Sequence, residues 1–193
     1  MQWIAAIILF MHLPIPLYWY VLHPQMDFWR RHSQKSAYIT GVGLSYLPAT
    51  VCLIVFRRQI FRGDFPPLWQ IIAGGILIIV EGWIFTRVKA DLGGARLVGK
   101  IELSGGGEIA QRGIYARIRH PRYTGSLLAI CGACLLAGTR VAWILAATWI
   151  LLTRIAIAFE EREMRARFGA SYEEYASRVP RFLPRRFRAS SGD

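Results

Sequence analysis

The chain has 193 residues, 54% of them hydrophobic, and 24 Lys and Arg against 12 Asp and Glu give a net charge of +12. A soluble nucleic-acid binder tolerates that charge but not several long apolar runs beside it, and the mean hydropathy here is +0.32. The basic residues lie mostly between and after the apolar blocks, as expected of helices in lipid joined by charged connections, and the length is that of one domain.

Met1 to Leu22 reads as a retained first span rather than a cleaved leader. It lacks a basic start and a small-residue cleavage site, and its apolar stretch is long. Pro14 and Pro16 are expected to kink it or end its regular hydrogen bonding. Ala37 to Phe56 forms a second span, with Arg30, Arg31 and Lys35 before it and Arg57 and Arg58 after. Leu68 to Thr86 is a third, opened by Pro66 and Pro67 and closed by Arg87 and Lys89. Gly125 to Gly138 and Val141 to Phe159, separated by Thr139 and Arg140, form a tight helical hairpin. Its first arm is short beside the roughly 20 residues of a full crossing. The expected fold is an all-α integral membrane protein with about five transmembrane helices, three of them within residues 1–86.

A hairpin returns the chain to the side it left, so Arg87 to Thr124 and the tail from Glu160 to Asp193 share one face. Each carries eight Lys or Arg, 16 of the 24 together, which puts that face in the cytoplasm and the N-terminus outside. Arg57, Arg58 and Arg62 fall in an outside loop and oppose this bias. Within the first polar segment, Arg96 to Glu102, the turn Ser104 to Gly107 and Glu108 to Gln111 suggest a small β-hairpin. In the tail, Glu160 to Phe168 continues the last span as helix and Gly169 ends it. Ser171 and Glu174 have capping-box spacing for a second helix. Its Tyr172, Tyr175 and Val179 share a face and Pro180 stops it, which suggests a lid.

The residues richest in chemistry run from Gly113 through Tyr115 to Arg119-His120-Pro121-Arg122-Tyr123-Thr124-Gly125. Proline restrains His120 and suits the first turn of the helix that follows, whose amides are free for an anion. Arg119 adds a guanidinium able to hold a carboxylate. Downstream, Glu160, Glu161 and Glu163 stand at the end of the last apolar run, where carboxylates suit an ammonium or sulfonium cation. Together the clusters offer both poles that an amino-acid-bearing cofactor needs. Cys131 and Cys134 have C-x-x-C spacing but read as small packing residues, and His12, His23, His32 and His120 have no ligand spacing, so no metal is implied. Glu81 and Arg154, charged residues inside spans, are expected to line the cavity and face one another.

The run Gly113-x-Tyr115, Arg119-His120-Pro121-x-Tyr123-x-Gly125, then a hairpin and Glu160-Glu161, resembles the isoprenylcysteine carboxyl methyltransferase and phospholipid methyltransferase group. Phe168-Gly169-x-x-Tyr172-x-x-Tyr175 and Val179-Pro180-Arg181-Phe182-Leu183-Pro184 are similar to that family's tail. The resemblance covers roughly Trp83 to Pro184. It implies a single membrane domain over 1–193, with a catalytic region over 87–184 and a basic tail over 185–193. It also implies a cytoplasmic pocket for S-adenosylmethionine, capped by C-terminal helices and open sideways to lipid. Carried over by position, Gly113, Tyr115, Arg119, His120, Pro121, Tyr123, Gly125, Glu160 and Glu161 would bind the cofactor, with Gly113 and Tyr115 shaping the entrance. Arg119 and one or both of Glu160 and Glu161 would serve catalysis. Small residues Gly125, Ser126, Ala129, Gly132 and Ala133 would let the backbone approach adenosine or a neighbouring helix. The implied acceptor is lipidic or membrane-partitioned, either a prenylcysteine-like carboxylate or a lipid amine. The implied setting is the cytoplasmic membrane of a bacterium, with Arg185, Arg186 and Arg188 drawn to anionic lipid head groups. An NADPH-dependent membrane reductase and a non-catalytic membrane adaptor are the alternatives.

Overall fold

The computed structural model describes residues 1–61 and 65–184; Arg62 and the tail arginines Arg185, Arg186 and Arg188 lie outside the described residues. The chain runs through α1 (Gln2–His12), α2 (Pro14–Leu22), a 3-10 turn at His23–Gln25, α3 (Met26–Arg31), α4 (Gln34–Val55) and α5 (Arg57–Ile60). After these come α6 (Leu68–Leu92), α7 (Gly94–Leu97), α8 (Lys100–Leu103), a 3-10 turn at Gly113–Ala116, α9 (Pro121–Ala137), α10 (Arg140–Phe168) and α11 (Ala170–Arg178). Four helical stretches among the described residues are long and apolar enough to cross a membrane: Gln2–Arg31, Gln34–Val55, Leu68–Leu92 and Arg140–Phe168. The fifth apolar helix, α9, is the short arm of the expected hairpin, with 17 residues. The protein is an all-α integral membrane protein.

Proline bends the first span without breaking it. Leu13 keeps right-handed helical angles and its N–H bonds to the Leu9 carbonyl. Pro16 has no N–H to offer the His12 carbonyl four residues back. The Trp149 indole Nε1 on α10 donates to that carbonyl instead, at 3.0 Å.

α9 lies between α6 and α10 and packs against both. A Cβ added at Gly132 would stand 2.8 Å from the Gly74 carbonyl oxygen, and one at Gly74 would stand 2.9 Å from the Gly132 oxygen. Two glycines therefore set the distance between α6 and α9, by the small-residue contact that lets membrane helices approach. Gly125 makes a similar close contact nearer the start of α9, against Ile84 and Glu81 of α6. Gly132→Val is thus expected to lower the thermal unfolding midpoint in detergent by several degrees, whereas Gly43→Ala, which meets nothing, is expected to leave it unchanged.

Three expectations need correction. The β-hairpin over Arg96 to Gln111 is replaced by α7 and α8, and no strand occurs among the described residues. An isolated two-stranded hairpin has little to hold it. Here Arg96 closes the segment on itself instead, donating to the Glu102 carboxylate at 3.2 Å and the Glu108 carbonyl at 2.7 Å. The capping box is not formed: Gly169, at φ +50, ends α10 and starts α11 at once, so Ser171 already lies inside the helix. Finally, Glu81 and Arg154 form no ion pair among the described residues. With α9 between their helices, Glu81 sits half-buried beside Gly125 and Arg154 is exposed.

The helices bring three segments to one end of the bundle: residues 19–31 at the end of the first span, 92–122, and 160–183. At the opposite end, Thr139 caps α10 by accepting from the Ala142 N–H and donates to the Ile60 carbonyl at 3.0 Å.

Candidate cofactor site

Pro121 opens α9, and the amides of the two residues before it are already used. Arg119 N–H donates to the Pro180 carbonyl at 2.9 Å and His120 N–H to the Arg181 carbonyl at 3.0 Å. Residues 179–183 thus form a strap across the start of α9, and the Phe182 ring lies 6.1 Å from the His120 ring. The strap therefore takes up the two amides that lead into the helix start.

The two adjacent glutamates have different environments, as neighbours on a helix should. Glu161 is 1% exposed and accepts from three sides. His120 Nε2 lies at 3.1 Å, and Arg181 contacts both oxygens through Nε at 2.9 Å and Nη2 at 2.6 Å. Arg119 stands 3.3 Å away and Arg165, one turn along, 3.6 Å. Its charge is fully committed to holding α9, α10 and the strap together. Glu160, by contrast, has no guanidinium partner among the described residues and is only 4.0 Å from His120 Nδ1; it faces a cleft.

That cleft holds about 690 Å³ of space, its open mouth included. Arg119, His120, Arg122 and Glu160 line one side, Tyr115, Tyr172 and Tyr175 another, and Trp19, His23, Arg96, Glu102 and Glu163 a third. Tyr175 donates to the Tyr115 carbonyl at 2.8 Å, and Arg119 donates to the Tyr172 hydroxyl at 3.4 Å. Burial pushes the Tyr172 phenol up to about 12 and raises Tyr115 and Tyr175 as well, so all three stay neutral at physiological pH.

Several buried polar atoms around this cleft have no hydrogen-bond partner among the described residues: Arg119 Nε, Glu102 Oε2 and His23 Nε2. An unsatisfied buried polar group costs about 1–3 kcal/mol. Both donors and acceptors are left over at one place, which suits a ligand carrying both.

Of the residues named from sequence, Tyr115, Arg119, His120 and Glu160 meet in the cleft, and Pro121 and Tyr123 border a small adjoining space. Glu161 sits in the ion cluster behind the wall. Gly125 faces α6. Gly113, at φ +58, lies against Asp91, whose carboxylate accepts the Ile114 N–H at 2.7 Å. A side chain there would collide with that carboxylate. Sequence reasoning named Glu163 beside the glutamate pair but missed Trp19, His23, Arg30, Arg96, Glu102 and Arg181 as parts of the site. Glu163 is held by His23 and by Arg30, which also bonds Asp27 and the Glu102 carbonyl. The one sequence signal for this cluster was the charged stretch Asp27, Arg30, Arg31 directly after the first span.

Phospholipid methyltransferase sequences match residues 69–171 of this chain, more than half its length. The chain belongs to the phospholipid methyltransferase family. The match begins with α6, earlier than the resemblance had suggested. The chain is 31% identical to methanethiol S-methyltransferase 2 of Bradyrhizobium diazoefficiens, over 80% of its own length and 61% of the relative's. It is 36% identical to protein-S-isoprenylcysteine O-methyltransferase of Schizosaccharomyces pombe, over 37% of its own length and 31% of the relative's. The chain therefore spans less than two thirds of either curated relative. No solved structure matches it significantly. Within the family match lie Tyr115 to Tyr123 and Glu160 to Glu163; Trp19, His23 and Arg30 come from outside it.

Proposed function

We propose that the protein transfers a methyl group from S-adenosylmethionine to a membrane-partitioned acceptor, and that the cleft is where the two meet. The observation that carries this reading is the set of buried donors and acceptors left unpaired around the cleft. Arg119, with a free Nε, suits the carboxylate of the cofactor's amino-acid end. Glu160, with Glu102 nearby, suits its ammonium. The tyrosines and Trp19 suit the adenine ring and the sulfonium, since aromatic faces attract cations. S-adenosylmethionine supplies an already activated methyl carbon, so the protein's task is to align the nucleophile and exclude water. Tyr172 and Tyr175 of α11 and the strap over α9 close the cleft on its polar side. His120, tied to Glu161, holds Arg119 and Glu160 in place rather than moving a proton.

A second groove of about 500 Å³ runs between α2 and α4 and shares Trp19 and Arg122 with the cleft. Tyr18, Tyr38, Tyr46 and Val42 make it apolar, and it is the proposed route for an acceptor arriving from lipid. A thiol, a carboxylate and a lipid amine are the acceptor classes that the relatives' names and the family suggest. The proposed setting is the cytoplasmic membrane of a bacterium, with the cleft and C-terminus in the cytoplasm, in keeping with the 16 basic residues of the sequence segments 87–124 and 160–193.

Calorimetric titration of the purified protein in detergent with S-adenosylmethionine, S-adenosylhomocysteine and NADPH tests this reading. Saturable binding of the adenosyl ligands, weakened at least tenfold by His120→Ala, is expected. NADPH binding alone would move the chain to reductases, and no binding by folded protein would leave an adaptor.

A further inference from the structure

The cleft contains two histidines, each with one nitrogen tied to a glutamate, and the other nitrogen of His23 is buried. His120 gives Nε2 to Glu161 and turns Nδ1 toward Glu160. His23 is 8% exposed, and its Nδ1 meets Glu163 Oε2 at 3.1 Å. A carboxylate can only accept, so Nδ1 carries the proton and Nε2 of the neutral ring is an unprotonated acceptor. That Nε2 is buried without a hydrogen-bond partner among the described residues, and the residue lines the cleft. The ring is fixed further by stacking on Trp19, at 5.0 Å and 24°. A base oriented through its other nitrogen by a carboxylate is the arrangement that proton abstraction needs.

We propose that His23 is the general base of the reaction, positioned by Glu163, and that the acceptor is a neutral apolar thiol rather than a carboxylate. It rests on the methyl-transfer reading. In the step, the acceptor S–H bond breaks and its proton goes to His23 Nε2. The sulfur's electron pair forms the new S–CH3 bond while the bond from that methyl to the cofactor sulfonium breaks, releasing S-adenosylhomocysteine. A carboxylate acceptor would leave the base unused. Arg122, which lines the cleft and makes no ion pair among the described residues, favours an emerging thiolate. The proton's destination is also prepared: an imidazolium at His23 would sit against Glu163, itself anchored by Arg30. The other charged groups lining the cleft with His23 are Arg96, Glu102, Arg119 and Glu160, together with Arg122, whose guanidinium lies over the Trp19 ring.

The experiment compares two thiol probes with the full-length protein in detergent: phenylmethanethiol, protonated at neutral pH, and 4-nitrothiophenol, already ionised. His23→Gln keeps a donor for Glu163 and removes the base. It is expected to slow methylation of phenylmethanethiol by about 10²–10⁴-fold and to slow 4-nitrothiophenol less than tenfold. The acidic limb of the kcat/KM profile for phenylmethanethiol should disappear, and affinity for S-adenosylhomocysteine should hold within about threefold. Glu163→Gln, which alters the positioning residue, should give a smaller loss and a displaced acidic limb. Equal losses with both thiols, or none with either, overturn the proposal. So does a wild-type protein that binds S-adenosylhomocysteine but methylates neither thiol, a result that leaves the broader reading standing. Failure of the wild type to bind S-adenosylhomocysteine removes both.

Discussion

Replacing Glu161 with Gln or Ala is expected to be the most damaging single change at the cleft end of the bundle. The carboxylate is 1% exposed and is touched by Arg119, His120, Arg165 and Arg181. Taking one partner from a buried charge cluster typically costs about 3–5 kcal/mol, because the remaining charges are left uncompensated. Here the damage falls on three elements at once: α9 through His120, α10 itself, and the strap through Arg181. Glu161→Ala should therefore lower the unfolding midpoint markedly and abolish binding of S-adenosylhomocysteine. Arg181→Ala should cost much less, since Arg181 is half exposed and water can replace some of what is lost. A thermal scan of both variants in the same detergent checks the order. If Glu161→Ala unfolds like wild type, the ion cluster does not organise the site.

This pair of glutamates also shows how far sequence could reach. Their position at the end of a long apolar run was plain, as was the divergence that helix geometry imposes on neighbouring side chains. The sequence could not say which one faced the cleft, because that depends on Arg181, twenty residues on, folding back across His120. His23 was less visible still. Read alone it was a histidine with no ligand spacing, and its partner Glu163 lies 140 residues away. Apolar runs, the His120-Pro121 helix start and the Gly169 turn are local features and could be read directly. The hairpin expected near Arg96 failed for the same reason in reverse, since alternation over a few residues carried no information about what Arg96 would bind. The N-terminal spans looked generic in sequence, yet they supply Trp19, His23 and Arg30, which build one wall of the cleft and its support.

Glu160 and Arg119 should divide the cofactor's amino-acid end between them, and analogues lacking one pole can separate the two. Glu160→Gln is expected to weaken S-adenosylhomocysteine by about 10- to 150-fold, the equivalent of one hydrogen bond to a charged group at roughly 1.5–3 kcal/mol. An analogue without the amino group has no ammonium for Glu160 to hold, so wild type and Glu160→Gln should bind it equally. Arg119→Gln should mirror this: a comparable loss with S-adenosylhomocysteine, and none with the analogue lacking the carboxylate. Because Arg119 also touches Glu161, collapse of the ion cluster would weaken both ligands alike, which the decarboxylated analogue detects. Glu102→Gln provides the contrast. Its Oε1 is held by Arg96 at 3.2 Å, so only one oxygen remains for a ligand and the loss should be smaller than at Glu160. Calorimetry over these protein–ligand pairs isolates each pairwise coupling, as in a double-mutant cycle. Were Glu160→Gln to weaken the deaminated analogue as strongly as S-adenosylhomocysteine, Glu160 would be shaping the cleft and not binding the ammonium.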